Sequence, residues 1–176
     1  MEGGLLQRLD AAARNLVPLS LALIAVIVGA MPMYMPGYGA IAPNLALIAV
    51  VYWAIYRPDL FPAVIAFAVG LVQDAVMGTP LGMNALVLLC AHAVIVSQRR
   101  FFQGKSFAVV WWAFSMVAIG AAIFGWALVA AIFAALPSPA PALFGTLLTV
   151  ALHPFFTWIF ARTHHAVLGE PPNVSR

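Results

Sequence analysis

The sequence has few charged residues and only one cysteine. Of its 176 residues, 7% are charged and 65% are hydrophobic. Soluble domains are typically about 25% charged, so an ordinary soluble fold is excluded. Cys90 stands alone in an apolar run, which excludes an internal disulfide framework and a multi-cysteine metal site. We expect Cys90 to be a small core residue.

Motifs that carry chemistry are also scarce. The sequence has no phosphate-binding glycine loop, no nucleophile paired with a base, and no pair of carboxylates in one apolar segment. The isoelectric point of about 9.5 comes from basic residues spread between apolar segments, so nucleic-acid binding is not indicated. His92 and His153 lack metal-ligand spacing, and we expect both to be hydrogen-bonded packing residues. The sequence therefore predicts no enzyme, cofactor or metal site.

Six apolar segments, each near the length of roughly 20 residues that crosses a bilayer, predict an all-α membrane protein with a six-transmembrane-helix bundle. The predicted helices cover residues 15–31, 41–56, 60–77, 80–98, 106–136 and 141–161. Proline and glycine separate most of them, and only Gly78 and Thr79 separate the third from the fourth. So short a connection predicts an antiparallel hairpin. The chain divides into a cytoplasmic segment, the six-helix domain and a cytoplasmic tail, at residues 1–14, 15–161 and 162–176.

Basic residues orient the predicted bundle. They lie at the two termini and in the second and fourth connections, as Arg8, Arg14, Arg57, Arg99, Arg100, Lys105, Arg162 and Arg176. The other three connections carry none. Because basic loops stay in the cytoplasm, both termini are predicted to be cytoplasmic. Residues 1–14 form either a short helix on the membrane surface or a frayed tail.

Aromatic residues near the predicted span ends fit interfacial belts. These residues are Tyr52, Trp53, Tyr56, Trp111, Trp112 and Trp158. The basic and aromatic RRFFQGK connection is expected to associate with membrane lipids. In the preceding cytoplasmic turn, Arg57, Pro58 and Asp59 form either a charged stop at the membrane surface or a partner-binding loop.

Asp74 is the only acidic residue inside a predicted span. A carboxylate at the centre of a membrane helix costs roughly 2.5–3.5 kcal/mol, so Asp74 needs a partner. Gly70, one turn earlier, would let another helix approach. Asp74 either binds a substrate, relays a proton or contacts a partner protein, or it accepts hydrogen bonds from free amides at the start of helix 4. In the second case Thr79 would be the N-cap and Pro80 the first helical residue, and Asn84 would add a side-chain bond.

Helices 2 to 4 resemble the rod shape-determining protein MreD family of bacteria. The resemblance rests on Pro43, on the YWAIYRPD run and on the GLVQDAVMGTPLGMNAL run. It implies a non-enzymatic inner-membrane scaffold of the cell-elongation machinery. Such a scaffold binds a bitopic MreC-like protein and connects, directly or indirectly, with MreB filaments and peptidoglycan synthases, and it can belong to a larger hetero-oligomer.

The same resemblance selects candidate residues for structural or partner-binding roles. On the family's hairpin they are Asp74, Gly78, Pro80, Gly82 and Asn84, and on its preceding turn Arg57, Pro58 and Asp59. Gly70 joins them because of its place beside Asp74.

The MreD-like fold is similar to the six-helix substrate-binding subunits of energy-coupling-factor transporters. A small-ligand-binding subunit of such a transporter is therefore the alternative function. A ligand site needs several convergent polar groups, and only Gln73, Asp74 and Asn84 form such a cluster. These three would equally satisfy one another, so the sparse polar content favours the scaffold.

Overall fold

A computed structural model of the chain describes residues 3–31, 41–102 and 104–163, with side chains from Leu16 onward. Within these ranges six α-helices follow one another and no strand occurs. They are α1 (Gly3–Ala30), α2 (Leu45–Tyr56), α3 (Ala63–Met77), α4 (Met83–Phe102), α5 (Phe107–Phe133) and α6 (Ala140–Thr163). The predicted all-helical class is confirmed.

All six helix starts differ from the predicted positions, and two of the differences change how the sequence is interpreted. α1 begins at Gly3 and continues through residue 15 with Pro18 inside it, so the described part of residues 1–14 belongs to the first helix rather than to a separate one. α4 begins at Met83 and not at Pro80, because Gly82 has a φ of 95° that no helix residue adopts. The assignment of Thr79 as N-cap and Pro80 as first helical residue is therefore wrong.

The short helix α2 is the core of the bundle. Every residue from Leu45 to Ile55 is buried, as expected of a helix that is apolar on all sides. α2 packs against α1, α4 and α6 and, over a smaller area, against α3. Tyr52 and Trp53 are buried there, with ring centroids 5.1 Å apart. Their predicted place in an interfacial belt is wrong.

α5 lies at the periphery, between α4 and α6. Only Val110, Phe114 and Ala118 of its 27 residues are buried. Large apolar side chains such as Trp112, which is 69% exposed, cover the rest of its surface. An exposed apolar surface of this extent indicates a membrane environment or a protein interface.

Three helices, α4, α5 and α6, are long and apolar enough to cross a membrane. The segment Leu16–Ala30, α2 and α3 are apolar but shorter. With a rise of about 1.5 Å per residue, the 12 residues of α2 extend roughly 18 Å. The chain is a helical membrane protein in which long helices surround a short central one.

The two histidines within the helices join neighbouring elements. His92 Nε2 donates to the Phe61 carbonyl at 2.9 Å, which fixes α4 to the α2–α3 loop. His153 stacks on Phe114, with ring centroids 4.0 Å apart, and so joins α6 to α5. Both have the packing roles predicted for them. Cys90 is exposed on α4, so its expected core position is wrong.

Candidate functional site

Two glycines with positive φ shape the turn between α3 and α4. Gly78 ends α3 with a φ of 67° and donates its N–H to the Asp74 carbonyl, as glycine commonly does after the last helical turn. Thr79 N–H donates to the same carbonyl at 3.1 Å. Gly82, with a φ of 95°, precedes α4. These conformations favour glycine because it has no Cβ, and they bring the start of α4 back beside α3.

The turn closes around the carboxyl group of Asp74, which is completely buried. Its Oδ1 accepts from Thr79 Oγ1 at 2.7 Å and from Asn84 N and Nδ2, both at 2.9 Å. Its Oδ2 accepts from Gly82 N at 2.9 Å and from Ala85 N at 3.4 Å. Three of the five donors are amides at the start of α4, the groups that a helix leaves without internal partners. We call this arrangement the Asp74 clasp.

Gly70 brings the two helices into backbone contact beneath the clasp. A Cβ at Gly70 would lie 2.3 Å from Ala85 Cα and 2.6 Å from Ala85 N. Because these neighbours are backbone atoms, a side chain at residue 70 would have to displace α4. The close approach expected at Gly70 is present, and the partner is α4.

Gln73 does not join Asp74 and points instead toward the start of α2. Its Nε2 lies 3.4 Å from Asn44 Oδ1, and Asn44 Oδ1 also caps α2 by accepting from Leu47 N at 3.0 Å. Asn44 N donates to Thr149 Oγ1 of α6 at 2.9 Å. Asn44 was not among the residues predicted from the sequence, although an asparagine before an apolar run is an N-cap signal. No signal in the sequence marks Thr149.

Replacement of Asn44 by Ala is expected to lower the free energy of unfolding by about 1 kcal/mol, the usual value of an N-cap. Asn44→Ser is the matched control because its hydroxyl can still accept from Leu47 N–H. Unfolding of both variants in the same detergent measures the difference. Equal losses in Ala and Ser variants would contradict a capping role.

The turn between α2 and α3 carries the second group of candidates. The Arg57 guanidinium contacts both carboxylate oxygens of Asp59, with Nη2 donating to Oδ2 at 3.1 Å. Partial burial acts to raise the pKa of Asp59, but hydrogen bonds and charge from Arg57, together with backbone hydrogen bonds, hold it below its usual value. Pro58 lies between the two. At about 1.5 Å per residue, the 15 residues of α3 place this turn roughly 22 Å from the hairpin, so the structure does not bring the two groups together.

The clasp offers no reactive group. Both Asp74 oxygens are occupied by donors, which leaves no free lone pair directed at a substrate proton. Across residues 3–31, 41–102 and 104–163, no group of three or more His, Cys, Asp or Glu side chains is arranged to hold a metal. The arrangement can hold two helices together, which is a structural role.

Comparison with known proteins identifies the family of the chain. The profile of the family described as rod shape-determining protein MreD matches residues 10–163. No match was found among curated proteins or among solved structures. The matched range includes most of α1 and the whole of α2 to α6. The chain belongs to the MreD family of rod shape-determining proteins.

Proposed function

We propose that this protein is a non-enzymatic scaffold of the bacterial cell-elongation machinery, located in the inner membrane. It holds the transmembrane helix of an MreC-like bitopic protein and links it, directly or through other proteins, with MreB filaments and peptidoglycan synthesis. Membership of a rod shape-determining family and the apolar outer surface of α4 and α5 support the proposal.

We propose six spans with both termini in the cytoplasm. In consecutive antiparallel helices, the α2–α3 turn, the α4–α5 turn and the end of α6 share one side of the membrane. The basic residues with described side chains lie at or beside these places, as Arg57, Arg99, Arg100, Lys105 and Arg162. Basic residues on one side identify it as cytoplasmic. The hairpin with the Asp74 clasp then faces outward.

The observation that carries the proposal is an apolar groove between α4 and α5. It has a volume of about 470 Å³ and is lined by residues of both helices, all of them apolar except Gln98, including small ones such as Ala91, Ala113 and Gly120. Membrane helices associate through close packing, for which small residues make room. We call it the α4–α5 groove and assign the MreC-like helix to it, because the family supplies a partner that crosses the membrane once.

Gly120→Leu tests this assignment. A Cβ at Gly120 has no atom within 4 Å, so leucine fills the groove without disturbing the bundle. We expect co-purification of the MreC-like partner to fall at least about tenfold, which corresponds to roughly 1.4 kcal/mol. The control is Ala108→Leu, an exposed position of α5 about 120° around the helix from Gly120. An equal yield of partner with both variants would exclude the groove.

Cys90 gives an independent measurement on the unaltered chain. It is the single cysteine of the sequence, is exposed and lines the α4–α5 groove. Cysteines placed one at a time along the partner's transmembrane helix should crosslink to Cys90 with a period of three to four residues. Crosslinks without a helical period, or none at all, would argue against docking in this groove.

A further inference from the structure

Pro154 interrupts the backbone hydrogen bonding of α6 close to the middle of the helix. A helical N–H donates to the carbonyl four residues earlier, and proline has no N–H, so the Val150 carbonyl lacks the donor that an uninterrupted helix would supply. α6 is long and apolar enough to cross a membrane. At that depth no water is available, and a neighbouring helix has to satisfy a carbonyl freed by proline.

Trp111 of α5 supplies the missing donor. Its Nε1–H donates to the Val150 carbonyl at 3.2 Å, and the bond is partly buried. One turn further along α5, Phe114 stacks on His153, the residue directly before Pro154, with ring centroids 4.0 Å apart. The polar contact and the aromatic contact of α5 with α6 therefore meet at the proline.

The other side of α5 is a wall of the α4–α5 groove. Ala113, Val117 and Gly120 line the groove, and Gly120 lies about 180° around the helix from Trp111. Only three of the 27 residues of α5 are buried, so few packing contacts hold this helix in place. A single hydrogen bond to α6 consequently has a large share in setting how far α5 stands from α4.

We infer, on the basis of the docking proposed above, that Trp111 is a positioning residue for the α4–α5 groove. By donating to the carbonyl that Pro154 leaves free, it holds the α5 wall at the distance from α4 that the partner helix requires. Without the indole N–H, the Val150 carbonyl stays unpaired unless α5 moves and another donor reaches it. Fewer chains then present a groove of the right width, and the apparent affinity for the partner falls by the same factor.

The first test measures the width of the groove in the full chain, purified without its partner, in lipid nanodiscs. Cys90 and Met116 are exposed on the two walls of the groove, so spin labels on Cys90 and on Met116→Cys report the distance between α4 and α5. Trp111→Phe, which keeps an aromatic ring but loses the N–H, should broaden and shift the distribution of distances. The matched control is Trp112→Phe, at a side chain that is 69% exposed, and it should leave the distribution unchanged.

The second test measures how much MreC-like partner co-purifies with each variant that carries no label. We expect Trp111→Phe to lower the yield by about tenfold, a change of the size that one lost buried hydrogen bond produces. Pro154→Ala gives residue 154 an N–H that can donate to the Val150 carbonyl. In that background Trp111→Phe should have little further effect on the yield or on the distances. A loss of packing alone would be the same in both backgrounds, so this non-additivity identifies the carbonyl as the group through which Trp111 acts.

Three outcomes would overturn the inference. Distances in Trp111→Phe equal to those of the wild-type chain would show that the bond does not position α5. An equal effect of Trp111→Phe with and without Pro154 would show that the indole acts through packing alone. Changed distances with an unchanged partner yield would separate the position of α5 from docking. If Gly120→Leu also left the yield unchanged, the docking proposal would fail as well, whereas the label distances do not depend on it.

Discussion

Replacement of Asp74 by Ala is expected to lower the free energy of unfolding by about 3–5 kcal/mol. The variant would leave five hydrogen-bond donors without their acceptor. Each buried donor left without a partner costs roughly 1–3 kcal/mol, and some of the freed groups will find water at the hairpin end. Losses of this size from one substitution occur when a buried hydrogen-bond network is broken.

Asp74→Asn tests the two carboxylate oxygens of the clasp separately. Asparagine keeps one acceptor for the Oδ1 donors but places an NH₂ group opposite Gly82 N and Ala85 N, which are donors themselves. We expect the free energy of unfolding to fall by less than in Asp74→Ala but by more than 1 kcal/mol, within the roughly 1–3 kcal/mol cost of an unpaired buried group. The matched control is Asp59→Asn. The Asp59 side chain is 60% exposed, so this substitution should lower the free energy of unfolding by less than about 1 kcal/mol.

Reversible unfolding in a fixed detergent, together with the amount of protein in the membrane, measures these changes. If the Asp74 clasp holds α3 and α4 together, Asp74→Ala accumulates poorly and has a lower free energy of unfolding. Normal accumulation with loss of rod shape would instead assign Asp74 a direct function. A variant indistinguishable from wild type in both measurements would contradict the structural and the functional interpretations alike.

Among the described glycines within helices, Gly70 is the one at which replacement by alanine is expected to destabilise the protein most. Its Cβ would lie 2.3 Å from Ala85 Cα, and neither backbone can move without separating α3 from α4. Overpacking of this kind typically costs about 1–3 kcal/mol, and Gly70→Val should cost more. The shift of α4 would also lengthen the bonds from Asn84 N and Ala85 N to Asp74, so the two effects should not be additive.

Gly120→Ala is the matched control for Gly70→Ala. Both glycines lie within helices, but a Cβ at Gly120 meets nothing within 4 Å. Because alanine forms helix better than glycine by about 0.8–1 kcal/mol, Gly120→Ala should be neutral or stabilising. Unfolding of the two variants under the same conditions gives the comparison. If both had the same stability, the close contact of α3 and α4 at Gly70 would be disproved.

The helices themselves could be predicted because long apolar segments interrupted by proline and glycine leave few alternatives. The type of group that binds Asp74 could be predicted, because a buried carboxyl group next to a short turn has the free backbone amides of the next helix within reach. The predicted start of α4 was three residues too early. Positive φ at Gly82 delays the helix, and nothing in the sequence alone distinguishes Gly82 in a turn from a glycine in a first helical turn.

Which residues face inward could not be predicted. α2 and α5 are both apolar on all sides, yet α2 is central and α5 peripheral, because a membrane removes the polar face that marks the outside of a soluble helix. Tyr52 and Cys90 were misplaced for this reason. The bond from Asn44 N to Thr149 Oγ1 joins residues 105 apart, and spacing along the chain gives no indication of it.

The most direct test of the central claim is to purify the tagged chain from native membranes in mild detergent and to identify by mass spectrometry what accompanies it. We expect to recover an MreC-like protein together with wall-synthesis enzymes, and to lose most of the MreC-like protein from the Gly120→Leu sample. Recovery of a transporter coupling subunit with its ATPases, and no MreC-like protein, would contradict the scaffold and make the protein a small-ligand subunit of a transporter.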